Sequence, residues 1–286
     1  DFIAHFFHGR PHRVMSTRVA ERRLKQVFQS HRYRLFAREW SGDRPSVDLV
    51  CPDGQPCTPA QFVDRLFTEY AHQRGATRWG DKSPAYCAHM PLLAAMFPDA
   101  GFVHLLRDGR DAALSMVANW GRLEWHVDLY SAARQWARRV AAARAAGQAL
   151  GDDRYTELRY EDLTADPATH LRRICTFLGE PFDEAMLTPR EGAKREIETD
   201  NPFHARLHEP VNRASVGRWR DRLSPADRYI VERAAGRTLR ALGYLDDKSV
   251  AIDRRARSRL GLLAGKYAVS HTLIRAAQML GLHPVN

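Results

Sequence analysis

Residues 104–116, HLLRDGRDAALSM, decide how the rest of the chain is read. They complete an apolar run, Phe102 to Leu106, that is short, bounded by turn signals and suited to a buried strand. The run breaks at Arg107 into a charged turn, Asp-Gly-Arg-Asp, and resumes with helical spacing toward Trp120. Strand, tight turn and helix in that order build parallel α/β sheets, whose ligands sit beyond the carboxyl ends of the strands. Arg107 therefore stands where a binding residue is expected.

An arginine at that place lies beside the N–H groups of a helix start, where the helix dipole favours an anion, and Ser115 adds a hydroxyl early in the same helix. Such a set suits a phosphate. A structural alternative pairs Arg107 with Asp108 or Asp111 and leaves Ser115 an ordinary helix residue. Spacing alone leaves both readings open.

Working outward, residues 17–40 read as a basic helix and SGDRPSVDLVCPDGQPCTP (41–59) as a loop. Thr58 and Pro59 then suit the cap and first position of a helix through AQFVDRLFTEYAHQRG, with Phe62, Leu66, Phe67 and Tyr70 at helical spacing and Gly75 as its stop. Pro91 opens a short helix, and PDAG (98–101) turns the chain into the strand. Beyond it, SAARQWARRVAAARAAGQALG (131–151) predicts a helix capped by Ser131. RYTELRYEDL (154–163) is a second strand candidate that breaks at its acidic pair. Asp166 and Pro167 start a helix that Gly179 ends, residues 180–218 are polar, and Ser224 and Pro225 cap a helix reaching Gly243. Helices alternating with short strands argue for α/β architecture with a parallel sheet.

The composition, 286 residues with 44% hydrophobic content, is that of a globular protein. Basic residues, mostly arginine, exceed acidic ones 44 to 34, a formal charge of +10 that favours anionic partners as well as solubility. The excess is concentrated at the carboxyl end in Arg254, Arg255, Arg257, Arg259, Lys266 and Arg275. That segment mixes its charges with Leu260, Leu263, Tyr267 and Ile274, which suits either an anionic membrane surface or packing on its own domain. Cys51, Cys57, Cys87 and Cys175 form no CxxC pair and no His/Cys cluster of zinc-ligand spacing, so no metal is expected. Cys51 and Cys57 flank CPDGQPC and could pair, but they read as loop thiols of a reducing compartment, and a cytoplasmic location is expected. No apolar run has the length of a membrane span.

Four segments, GDKSPAY (80–86), FVHLLRDGRDAALSM (102–116), LRYEDLTADPATHLRRICTFLG (158–179) and SVGRWRDRLSPADRYIVERAAGRTLRALGY (215–244), carry a family resemblance. In that order they are similar to sulfotransferases that use 3′-phosphoadenosine 5′-phosphosulfate, especially the bacterial and tyrosylprotein-like branches. The resemblance implies a P-loop-containing nucleotide hydrolase-like sulfotransferase fold, a parallel sheet flanked by helices, over residues 1–247, with 248–286 as a basic amphipathic helical extension. It also implies roles. Arg107 and Ser115 would grip the cofactor's 3′-phosphate, and Tyr160 would lie against the adenine. Ser215, Gly217 and Trp219 would belong to a loop closing over the nucleotide, with Arg213 or Arg218 adding charge. Lys82, ahead of Ser83 and Pro84, would reach the transferring sulfonate or an anionic acceptor, unless Asp81 holds it in an ion pair.

The family pattern begins with a strand and a glycine-rich phosphosulfate loop, and residues 1–77 contain nothing like them. DFIAHFF resembles the segment shortly after that loop, so the amino-terminal strand and loop are expected to be missing, and this stretch is expected to be less stable than a complete domain and inactive by itself. Where relatives often carry a glutamate base, the nearest titratable groups are His5 and His8. The acceptor class left open is a hydroxyl of a carbohydrate, protein tyrosine, lipid or small molecule, with no nucleic acid partner. The rivals are a nucleotide-dependent kinase on a related phosphate-loop scaffold and a non-enzymatic basic module that binds polyanions.

Overall fold

In the computed structural model Thr58 Oγ1 accepts the Gln61 N–H at 3.2 Å, and Gln61 Oε1 accepts the Thr58 N–H at 2.9 Å. This reciprocal cap, with proline at the next position, starts the helix Pro59–His72 where the sequence places it. Ile3 and residues 12–29, 34–120, 127–188, 211–245 and 254–279 are described. They fall into two units: one takes the described residues through Phe102 together with Ala146–Tyr155, the other Val103–Ala145 and those from Thr156 onward.

The first unit contains α1 (Thr17–Gln29), α2 (Arg34–Glu39), α3 (Val47–Val50), α4 (Pro59–His72) and α5 (Met90–Met96). The single helix expected over 17–40 is two helices, α1 and α2. The expected loop 41–59 also holds structure: Ser46 Oγ accepts the Asp48 N–H and caps the one-turn α3, a tight 3-10 turn comes next at Pro52–Gly54, and Met15 forms an antiparallel bridge with Cys57. Composition marked these residues as turn formers without showing that a side-chain cap stabilises one helical turn among them. Ala20, Leu24 and Val27 of α1 and Phe62, Val63 and Leu66 of α4 form a core with Val50, Leu93 and Met96. Phe36 stacks on Tyr70 with centroids 4.7 Å apart, and Trp40 meets Phe28 edge-on at 5.4 Å.

The second unit is built on β1 (Phe102–Leu106) and β2 (Tyr155–Arg159), adjacent in a parallel sheet. Each strand contributes its first residue to the other unit. Between and after them come α6 (Gly109–Trp120), α7 (Leu129–Leu150, whose residues 146–150 belong to the first unit), α8 (Tyr160–Ala165), α9 (Pro167–Leu178), α10 (Trp219–Arg222), α11 (Pro225–Ala241) and α12 (Arg254–Met279). Ser131 is not the cap of α7. Asp128 is, its Oδ1 accepting the Ser131 N–H at 2.9 Å while Ser131 Oγ accepts the Asp128 N–H at 2.8 Å. A carboxylate at the cap and a hydroxyl three residues on satisfy two helix-start donors at once.

Alanine dominates the contact between α6, α7 and α11: Ala113, Ala132, Ala133, Ala137, Ala234 and Ala235 are buried with Leu106, Trp136, Val140, Val231 and Leu239. Short side chains let these helices approach closely, and Gly109 shows the limit. A Cβ there would lie 2.5 Å from the buried Trp136 ring, so the glycine of RDGRD makes room for a tryptophan. The carboxyl-terminal helix α12 packs on this unit, as one of the two readings of the tail has it. Lys266 Nζ reaches Asp128 at 2.9 Å, Arg259 pairs with Asp227 at 2.6 Å, and Tyr267 packs edge-on against Tyr130 at 5.8 Å. Leu262, Val269 and Leu273 remain exposed, and no described helix is long and apolar enough to cross a membrane.

Gly109→Ala drives a methyl group into the rigid Trp136 ring and is expected to lower stability by about 1–3 kcal/mol, read by urea unfolding. An unchanged midpoint would show that the ring moves aside freely.

Candidate functional site

The RDGRD turn is set by a buried arginine other than the one the sequence emphasises. Asp108 Oδ1 accepts the Arg110 N–H at 2.9 Å, capping α6, and the same carboxylate binds the Arg110 guanidinium at 2.7 Å. Arg110 also reaches Glu232 of α11 at 3.2 Å and the Tyr244 carbonyl at 2.5 Å, and lies 3.7 Å over the Trp219 ring. Glu232 is shared with Arg228 at 2.6 Å. Burial alone would ease the Arg110 proton off; hydrogen bonds and charge from Asp108 and Glu232 outweigh it and hold Arg110 more firmly protonated than usual. Glu161 of α8 closes the other side, taking the Asp108 N–H at 2.9 Å and the Tyr244 hydroxyl at 2.9 Å. Burial, then the Glu161 charge, push the Tyr244 phenol well above its ordinary range, so Tyr244 stays a donor.

These bonds decide between the two readings of Arg107. Asp108 is committed to Arg110, and Asp111 to a loop more than a hundred residues away in sequence. Asp111, 2% exposed, accepts the Gly217 N–H at 2.6 Å and the Trp219 N–H at 2.9 Å. Burial raises its pKa above the ordinary carboxylate value, against the lowering effect of those two N–H groups and of the Arg107 charge. Arg107 therefore forms no ion pair with either aspartate. It donates instead from Nη2 to the Ser215 carbonyl, and its guanidinium carbon lies 5.0 Å from the centre of the Tyr160 ring. Its Nε is buried with no hydrogen-bond partner.

Arg107 follows β1 and Tyr160 follows β2, so the two residues meet because their strands are neighbours. Ser215 joins them through its carbonyl, and Gly217, in the left-handed region at φ 73°, turns the loop so that its N–H reaches Asp111. Ser115 is half-buried in the second turn of α6 and its hydroxyl has no hydrogen-bond partner among the described residues. Arg218 is half-buried directly before Trp219, and its carbonyl accepts the Arg222 N–H at 3.1 Å. The open anion site expected at the α6 start is partly filled by the chain's own carboxylates, which leaves side chains as the donors for a ligand.

Lys82 belongs to the first unit, where it is exposed and unpaired with Asp81. Asp81 accepts the Tyr86 hydroxyl, and Ser83 caps the 3-10 turn Pro84–Ala88 at 3.2 Å. His5 and His8 lie outside the described residues. Sequence reasoning missed Asp111, Glu161 and the Asp108–Arg110 pair as the residues that hold the site. An aspartate in the first turn of α6 was visible, but a first-turn carboxylate is usual for dipole reasons alone. A cleft of about 330 Å³ among Leu106, Arg144, Glu157, Arg159, His170 and Arg173 is a weaker candidate. Its guanidinium groups are already engaged: Arg144 with Glu157 at 2.8 Å, Arg173 with the Glu157 carbonyl at 2.7 Å, and Arg159 with the Leu242 carbonyl.

Known proteins resemble this chain in sequence and in fold. The sequence profile of the Sulfotransferase family matches residues 6–184. Protein-tyrosine sulfotransferase A of Caenorhabditis elegans is 24% identical over 176 residues, 58% of this chain and 46% of that protein. Carbohydrate sulfotransferase 7 of Mus musculus is 35% identical over 95 residues, 32% of this chain and 19% of that protein. The matched stretch thus spans less than half the length of either relative. Among solved structures, the sulfotransferase domain from the Synechococcus PCC 7002 olefin synthase superposes with a TM-score of 0.55 at 22% identity, covering 79% of this chain and 75% of that one. The sulfotransferase domain from the curacin biosynthetic pathway gives 0.55 at 18%, covering 82% and 81%.

Asp111→Asn keeps the shape but turns one acceptor oxygen into an amide donor facing an N–H. One buried N–H then goes unpaired, a loss of about 1–3 kcal/mol. Amide exchange at Gly217 or Trp219 is expected to accelerate while the α6 core stays protected; equal protection in both proteins would show that Asp111 does not hold the loop.

Proposed function

The chain belongs to the sulfotransferase family, and from that premise we propose that it binds 3′-phosphoadenosine 5′-phosphosulfate and moves its sulfuryl group to an acceptor hydroxyl. The observation that carries the reading is Arg107: a guanidinium at a strand end, with both neighbouring aspartates engaged elsewhere and a buried Nε without a partner, beside the Tyr160 ring. A 3′-phosphate supplies the missing acceptor. A charge-assisted, two-point contact of guanidinium with phosphate is stronger than a neutral hydrogen bond. Ser115 adds a hydroxyl, Tyr160 a flat face for the adenine, and the loop with Ser215, Gly217 and Arg218 covers the nucleotide with further charge.

In the transfer step the acceptor oxygen attacks sulfur, the bond from sulfur to the bridging phosphate oxygen breaks, and that oxygen leaves with the electron pair. The acceptor proton passes to a base, for which His5 is the nearest candidate in the sequence. Lys82 is assigned to the sulfonate or to an anionic acceptor, where a cation stabilises the charge that develops. The relatives named for protein tyrosine and for carbohydrate support an acceptor that bears a hydroxyl, and we take a phenolic or sugar hydroxyl as the substrate class.

Calorimetric titration of 3′-phosphoadenosine 5′-phosphate against 5′-AMP tests the reading. The doubly phosphorylated nucleotide is expected to bind selectively, and Arg107→Ala to weaken it by about 1.5–3 kcal/mol, roughly ten- to a hundredfold, with little effect on 5′-AMP. Equal affinity of wild type for the two nucleotides, or an Arg107→Ala variant that binds like wild type, would overturn the assignment of the 3′-phosphate to Arg107.

A further inference from the structure

The stretch CPDGQPC, residues 51–57, takes no part in the proposed reaction, yet the structure brings its ends together. Cys51 closes α3, its N–H donating to the Val47 carbonyl at 2.8 Å. The chain then reverses through Asp53 at φ 54° and Gly54 at φ 68°, both left-handed. Asp53 is the single non-glycine residue with positive φ among the described residues, so this turn keeps a conformation that L side chains avoid. Thr17 Oγ1 holds the turn by donating to the Gly54 carbonyl at 3.0 Å. Cys57 is fixed from the other side by two backbone bonds with Met15, 2.7 and 3.0 Å.

The two Sγ atoms lie 2.9 Å apart, and neither cysteine exposes any surface. That separation is within about 1 Å of a disulfide bond length. Cys87 and Cys175 stand elsewhere in the fold and form no disulfide, and Cys175 has the Met186 sulfur 3.8 Å away.

We propose that Cys51 and Cys57 form a dithiol site that a low-molecular-weight disulfide of the glutathione type oxidises reversibly to an intramolecular disulfide. The step balances. One cysteine thiolate attacks a sulfur of the small disulfide and expels a thiolate. The second cysteine thiolate then attacks the mixed disulfide at its partner's sulfur and expels the other thiolate. One small disulfide becomes two small thiols, which take up the two protons, and the cysteine pair loses two electrons. Burial, reinforced by the neighbouring Cys51, pushes the Cys57 thiol up to about 12, so the closed dithiol is unreactive and exchange proceeds through opening of the 52–56 turn. Once made, the bond ties α3 to the start of α4 and is shielded from reductant by the same burial. The proposal is independent of the sulfotransfer reading.

To test it, the full chain is equilibrated in glutathione buffers of rising oxidised-to-reduced ratio, quenched in acid, alkylated after denaturation and mapped by peptide mass spectrometry. The expected product at the oxidising end is a Cys51–Cys57 disulfide, with Cys87 and Cys175 alkylated. Its equilibrium constant is expected to exceed that of the chain in denaturing urea by at least about tenfold, because the fold holds the sulfurs together. A variant carrying Cys87→Ser and Cys175→Ser, which keeps the buried pair, is expected to give the same constant. Thiols that stay alkylatable at every ratio, glutathione adducts as the end product, or a constant unchanged by urea would each overturn the proposal.

Discussion

Arg110 is the residue around which the second unit is organised. Its guanidinium sits 5% exposed between Asp108 and Glu232, under the Trp219 ring and against the Tyr244 carbonyl. Removing a full charge from water is expensive, and a buried ion pair offsets that expense only when its donors are satisfied. Here two carboxylates, a carbonyl and an aromatic face surround one arginine, and through it the β1–α6 turn, the α10 loop and α11 are held in one arrangement. Loss of any one hydrogen-bonding partner would leave a buried guanidinium N–H without its acceptor, which is why these segments, far apart in sequence, are fixed together.

The surroundings of Arg107 depend on that arrangement. An arginine with two aspartates within four residues would ordinarily be neutralised locally. Arg107 escapes because Arg110 occupies Asp108 and the Gly217 and Trp219 N–H groups occupy Asp111. Its guanidinium is thereby left without a carboxylate hydrogen-bonded to it, with Tyr160 beside it by virtue of strand pairing. The same aspartate that fails to quench Arg107 positions the loop carrying Ser215, Gly217 and Arg218. Local charge composition is neutral across RDGRD; the distribution of hydrogen-bond partners leaves Arg107 as the arginine with no carboxylate bonded to it.

Much of the fold was legible. The strand Phe102–Leu106 lies where its apolar run and flanking turns place it, and the capped helices at Pro59, Pro167 and Pro225 begin where a hydroxyl or carboxylate precedes proline. These features are set by groups within four residues of each other. The failures among the helices are just as local, a choice between neighbouring caps or an element too short to read. Ser131 reads as a cap until Asp128 is seen to take that place, and the loop over 41–59 conceals α3 because a one-turn helix has too few residues to show a period. Within the site, Arg107, Tyr160 and Ser215 could be named from motifs in a family's order, whereas the roles of Asp111, Glu161 and Glu232 depend on contacts spanning 53 to 122 residues.

The sequence by itself determined the strands and most of the longer helices, the strand-end place of Arg107, the basic character of the chain and the family resemblance, because each rests on nearest-neighbour chemistry or on an ordered set of motifs. Only the tertiary structure decided which carboxylate meets which arginine, that the 215–219 loop comes back to α6, and that Cys51 and Cys57 face each other rather than solvent. The physical reason is the same in every case. A side chain's donors and acceptors have several possible partners along the chain, and burial selects among them by penalising every arrangement that leaves one unpaired.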